Sequence, residues 1–79
     1  MQIHLEYFAS LREAAGKETE VRDTAASTLR DLYREVRAEY AFSFDEANLR
    51  VAVNDEFVSW EQALRSGDRV VFLPPMSGG

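Results

Sequence analysis

The stretch Arg69-Val70-Val71-Phe72-Leu73 decides the fold of this 79-residue chain. Apart from Arg69 it is wholly apolar and mostly β-branched or aromatic, as expected for a strand in the middle of a sheet. It is followed at once by Pro74-Pro75, which lack backbone N–H groups and cannot carry a sheet ladder further. The strand therefore ends at Leu73. Successive side chains of a strand point to opposite faces, so Val70 and Phe72 are assigned to the core and Val71 and Leu73 to the outer face.

Upstream, Gly67-Asp68 is turn chemistry, and Ser59-Trp60-Glu61-Gln62 reads as a capped turn of helix. Before it come a strand over Leu49–Val53, a turn at Asn54-Asp55 and a short return strand at Phe57-Val58. Ser43–Asn48 is rich in turn residues. Thr28–Tyr40 is the clearest helix, because Leu29, Leu32, Tyr33, Val36 and Tyr40 form one apolar stripe at helical spacing. Arg30, Asp31, Arg34, Arg37 and Glu39 take the other side, and Ser27 or Thr28 supplies the N-cap. At the start, Gln2–Phe8 alternates with period two, placing Ile3, Leu5 and Tyr7 inward and Gln2, His4, Glu6 and Phe8 outward. Ser10-Leu11-Arg12-Glu13 fits a capping box, and Gly16 would stop the short helix it opens. Glu18–Arg22 reads as a polar edge strand.

The order is thus strand, strand, long helix, strand, strand, strand. Placing the two most hydrophobic strands, first and last, side by side at the centre leaves polar strands at the edges. The prediction is an α+β, β-grasp (ubiquitin-like) domain: a mixed sheet of about five strands with one main helix on one face, spanning residues 1–73. Residues 74–79 form an extended tail.

Composition narrows the chemistry. There is no cysteine, and His4 is the only histidine, which leaves no thiolate or imidazole metal site and no cysteine nucleophile. Nine basic and fourteen acidic side chains give a net charge of −5. An acidic domain argues against nucleic acid and anionic membranes and suits a basic docking surface. No stretch reaches the roughly 20 apolar residues that span a bilayer, and the N-terminus has no signal-peptide pattern, so the expected location is the cytoplasm.

The tail reads Pro74-Pro75-Met76-Ser77-Gly78-Gly79. Its prolines favour an extended arm, and Ser77-Gly78-Gly79 is slim enough to enter a narrow channel. The reactive group at its tip is the carboxylate of Gly79. The chain has neither a phosphate-cradling loop nor a catalytic base to activate that carboxylate, so another protein must do so. Phe8, Val71 and Leu73 would leave exposed apolar surface at the base of the tail, the mark of a partner site. His4, Trp60, Asp45-Glu46 and Asp55-Glu56 are read as structural or solvated. Arg12, near Phe8, is a weaker candidate for a partner carboxylate.

The stretches "YFASLREAAGKE" (residues 7–18) and "VAVNDEFVSWEQALRSGDRVVFLPPMSGG" (residues 51–79) resemble the small subunits of molybdopterin synthase, the ubiquitin-like sulfur carriers of molybdenum cofactor biosynthesis. "GDRVVFLPPMSGG" is the specific part. The resemblance implies that an adenylating, E1-like activating enzyme uses ATP on Gly79, that Gly79 then becomes a thiocarboxylate, and that the sulfur passes to a cyclic pyranopterin monophosphate precursor. It further implies a heterotetramer with the large synthase subunit, which holds the catalytic groups, while this chain binds no cofactor. Phe8, Phe57 and Leu73 match positions that pack on the large subunit, and Pro74, Pro75, Met76, Ser77 and Gly78 enter it with Gly79. Two alternatives stay open: a sulfur carrier of another pathway, such as thiamine synthesis, and a ubiquitin-like modifier joined to lysines.

Overall fold

Residues 1–74 are described by a computed structural model. Their elements are β1 (Gln2–Tyr7), α1 (Ala9–Ala15), β2 (Thr19–Asp23), α2 (Leu29–Tyr40), a single 3-10 turn (Glu46–Asn48), β3 (Arg50–Val53), β4 (Glu56–Val58) and β5 (Arg69–Leu73). The sheet order is β2-β1-β5-β3-β4. β1 and β5 run parallel at the centre, with His4 opposite Arg69 and Tyr7 opposite Phe72. All other pairings are antiparallel. The expected β-grasp arrangement is therefore the one observed, with polar β2 at one edge and the short β4, which carries exposed Phe57, at the other.

The alternation in sequence is repeated in burial. Ile3, Leu5 and Tyr7 of β1, Val51 and Val53 of β3, and Val70 and Phe72 of β5 are buried on one face of the sheet. Leu29, Leu32, Tyr33 and Val36 of α2 are buried with them in one core. Burying an apolar side chain of this size contributes about 1.5–3 kcal/mol, so this interleaved set is the main source of stability. Tyr33 is its hinge point: its ring centroid lies 5.1 Å from that of Phe72 and 5.5 Å from that of Trp60. The Tyr33 hydroxyl donates to the Phe44 carbonyl at 2.5 Å. Burial pushes that hydroxyl up to about 12. Trp60 is a half-buried packing residue stacked on Phe72.

Thr28 caps α2, its hydroxyl accepting from the Asp31 N–H at 3.2 Å. Two sequence expectations of capped helix starts fail, the first because tertiary hydrogen bonds outrank a local capping pattern and the second because the helix begins two residues early. Ser59–Gln62 forms only a hydrogen-bonded turn and then runs extended, with Ala63 bridging to Thr28. Its carbonyls are taken by α2: Leu29 N–H donates to Gln62 O at 3.1 Å and Arg30 N–H to Trp60 O at 3.0 Å. These are amide groups that a helix start leaves without an internal partner. Likewise α1 has no capping box. Its N-cap is Phe8, whose carbonyl accepts from Leu11 and Arg12, while Ser10 already lies inside the helix. Gly16 ends α1 at φ 75, as expected, a left-handed conformation that glycine adopts without steric cost.

A polar network between α2 and the edge strand β2 has no counterpart in the sequence reading. Arg22 is buried, and its guanidinium meets Glu20 at 3.4 Å and Glu35 at 3.1 Å, with Glu39 in direct contact. The Tyr7 and Tyr40 hydroxyls donate to Glu20 at 2.6 and 2.9 Å. Burial opposes the charge of Arg22, but Glu20, Glu39 and Glu35 outweigh it and hold the group ionised. Burial, and after it Glu20, raises Tyr7 far above the ordinary phenol value, so it remains a neutral donor. Asp45 and Asp55 are solvent-exposed, as read, and form surface ion pairs with Arg37 at 2.8 Å and Arg69 at 2.5 Å, while Glu46 pairs with Arg34 at 2.8 Å.

Candidate functional site

The parallel pairing of β1 with β5 fixes the site, because it brings both strands' C-terminal ends to the same edge of the domain. One step beyond the last pair, Tyr7 and Phe72, come Phe8 and Leu73. Phe8 keeps extended backbone (φ −123, ψ 153), so the alternation continues through it and its ring leaves the core side. It is 39% exposed. Ala9, immediately after it, sits at φ 51, turning the chain sharply into α1 and leaving Phe8 at the corner.

Across the outer face of the sheet, Glu6, Val71, Ala52 and Phe57 form one row of opposed residues, and Leu73 lies opposite Arg50 in the next. Val71, Leu73 and Ala52 are half-buried, whereas Phe57 is 57% exposed. Neither Phe8 nor Leu73 lies under α2. The expected apolar surface at the root of the tail is present, formed by Phe8, Val71, Leu73 and Phe57. Pro74, half-buried, continues from it. Pro75, Met76, Ser77, Gly78 and Gly79, all expected to carry the chemistry or its passage, lie outside the described residues.

Arg50 is a residue that the sequence reading missed. Its guanidinium carbon lies 4.1 Å from the centroid of the Phe57 ring. The signal was available: the alternation of Arg50-Val51-Ala52-Val53 points Arg50 outward, diagonally across from Phe57. Arg12 is exposed on α1, its N–H bonded to the Phe8 carbonyl at 3.3 Å. His4 is exposed on the outer face. Two surface depressions lie elsewhere, one lined by Asn54, Arg65 and Asp68 and the other by His4, Val21 and Arg69. In the first, Asp68 is already held by the Asn54 side-chain amide at 3.1 Å and the Arg65 N–H at 2.9 Å. Among the described residues, no helix is long and apolar enough to cross a membrane.

A mixed sheet with one long helix on one face, and an apolar outer surface where its central strand ends, defines a ubiquitin-like β-grasp protein. In solved structures the same fold is found in SAMP1, the small archaeal modifier protein 1 of Haloferax volcanii, with a TM-score of 0.81, 26% identity and full coverage of both chains. The chain belongs to the ThiS family, whose sequence pattern it matches over residues 5–79. Two curated relatives are both named molybdopterin synthase sulfur carrier subunit. That of Escherichia coli is 35% identical, covering 92% of this chain and 94% of its own length. That of Chlamydomonas reinhardtii is 36% identical over the whole of both chains.

Proposed function

We propose that this chain is a sulfur carrier of molybdopterin synthase, carrying sulfur on the carboxyl group of Gly79. One juxtaposition supports the reading above all: the central strand β5 ends at Leu73 among exposed Phe8 and Phe57, and the sequence then runs directly to Gly78-Gly79. A docking surface sits at the root of a slim, side-chain-free terminus. The likeness to relatives bearing that name supplies the pathway.

The chemistry follows from the carboxylate. An adenylating partner directs a Gly79 oxygen onto the α-phosphorus of ATP, releasing pyrophosphate and leaving an acyl-adenylate. A sulfur nucleophile at the oxidation level of hydrosulfide then displaces AMP, giving the thiocarboxylate. No cysteine is available in the chain to hold sulfur as a persulfide. Docked on the large synthase subunit through Phe8, Leu73 and Phe57, the tail presents its thiocarboxylate to the cyclic pyranopterin monophosphate. The sulfur bonds to a carbon of that precursor while a C–O bond of the same carbon breaks and the oxygen leaves with the electron pair, giving a thioester. Hydrolysis of the resulting thioester bond returns the carboxylate. Pro74, Pro75, Met76, Ser77 and Gly78 enter the large subunit's passage with Gly79 in this scheme. ATP belongs to the activating enzyme and the catalytic groups to the large subunit, both in the cytoplasm.

A second reading, a modifier joined to lysines, is favoured by the likeness to SAMP1. The same adenylate serves both, and only the nucleophile differs. Intact-mass analysis of protein purified from its own host separates them: replacement of one oxygen by sulfur at Gly79 is expected of the carrier, an isopeptide remnant on lysines of the modifier. Deleting Gly79 is expected to abolish sulfur transfer and leave thermal unfolding unchanged. Full transfer by the truncated chain refutes the proposal.

A further inference from the structure

The net charge of −5 suggests a basic partner surface everywhere, but the root of the tail has the opposite sign. Among the described residues, five of the basic side chains, Arg22, Arg30, Arg34, Arg37 and Arg69, meet carboxylates within 4.0 Å. Arg50 does not. It stands on the outer face directly opposite Leu73, and its guanidinium is laid over the ring of Phe57 at 4.1 Å. An aromatic face orients a guanidinium while leaving the N–H groups at its edge free to donate. Five fixed donors at the margin of an apolar patch match one chemical group best, a planar carboxylate. Glu6, a carboxylate of this chain on the same face, is separated from Phe57 by Val71 and Ala52 in the same row.

We infer that Arg50, held by Phe57, is a specificity-determining contact of the docking surface, and that it pairs with an Asp or Glu of the large subunit at the rim of the apolar depression receiving Leu73 and Phe57. This inference rests on the docking surface of the proposed function. It adds to that reading the sign of the partner's charge at one position. In a complex whose apolar centre supplies the affinity, a charge at the rim acts on the association rate and on the choice of partner. Arg50 therefore selects the matching large subunit against others offering the same apolar depression without the acid.

The test measures association of the full chain with the large subunit from the same genome by stopped-flow or surface plasmon resonance, at low salt and at about 1 M salt, where the screening length is only about 3 Å. Arg50→Glu is expected to slow association about tenfold at low salt, and the difference is expected to collapse at high salt. Arg50→Lys keeps the charge and is expected to associate at close to the parental rate but to dissociate faster, because an ammonium lacks the planar fork. Circular dichroism verifies that each variant is folded, as an exposed substitution on an outer face allows. Phe8→Asp is the companion variant: if it abolishes binding while Arg50→Glu binds at the parental rate, this inference is overturned and the docking surface stands. If Phe8→Asp also binds normally, the docking surface itself is wrong. Faster association of Arg50→Glu overturns the inference too, because it means that the facing group is basic.

Discussion

Replacing Arg22 by methionine is the most informative perturbation of the fold, because it removes a charge and keeps most of the side-chain length. The Arg22 side chain is 9% exposed and that of Glu20 12%, whereas Glu35 and Glu39 are 39% and 53% exposed. The two exposed partners are screened by water, and each contributes only a few tenths of a kcal/mol. The cost therefore comes from Glu20. Removing one member of a buried pair costs about 3–5 kcal/mol when the other charge is left without partners. Glu20 keeps the hydroxyls of Tyr7 and Tyr40, which lowers the expected loss to about 2 kcal/mol. A domain of this length has a total stability of about 4–12 kcal/mol. The melting temperature should therefore fall by about 8–16 °C. Thermal and urea unfolding followed by circular dichroism measure it, with Glu39→Gln as the control, expected to cost under about 0.5 kcal/mol. An Arg22→Met protein within about 0.5 kcal/mol of the parent would refute the reading of Arg22 and Glu20 as a buried pair in which each charge depends on the other.

Tyr33→Phe leaves the Phe44 carbonyl without its donor and should cost about 1 kcal/mol at neutral pH, read by urea unfolding. Tyr33 also sets an alkaline limit. Its folded value, raised to about 12, means that its stabilising contribution is full below the unfolded value of about 10 and is lost as pH rises from there towards 12. Tyr33→Phe should flatten that part of the stability profile, and an unchanged profile argues against the buried phenol. Gly16→Ala forces a side chain into a left-handed turn with open space around it, so its cost of about 1 kcal/mol is purely conformational and should appear in the same unfolding assay. Phe8→Asp should weaken binding to the large subunit by about 2 kcal/mol or more in calorimetry, with the melting temperature of the free chain unchanged.

The sequence showed most clearly those elements whose hydrophobic period was uninterrupted. Alternation in Ile3, Leu5 and Tyr7, the stripe from Leu29 to Val36, and the run Val70–Leu73 placed the two central strands and the main helix to within a residue or two. Phe8 and Leu73 were found as exposed apolar residues by the same alternation. What escaped were features decided at long range. Arg22 and Glu20 read as solvent-facing charges on an edge strand, because nothing local records that the carboxylates of a helix more than ten residues later will close over them. The Ser59–Gln62 stretch carries a helical capping pattern, yet its carbonyls are needed by the start of α2. The arginine partners of the solvated Asp45 and Asp55 lie in other elements and were equally invisible locally. Arg50 was legible in the alternation of its strand, and its contact with Phe57 becomes visible only once β3 and β4 are paired.

The placement of β5 between β1 and β3 has a consequence for folding. Its partner β1 (Gln2–Tyr7) lies far away in sequence, so the middle of the sheet closes only when a long intervening stretch has been brought together. Phe8 and Leu73 reach the same edge of the domain only at that step. Such wiring favours slow, all-or-none folding over stepwise assembly.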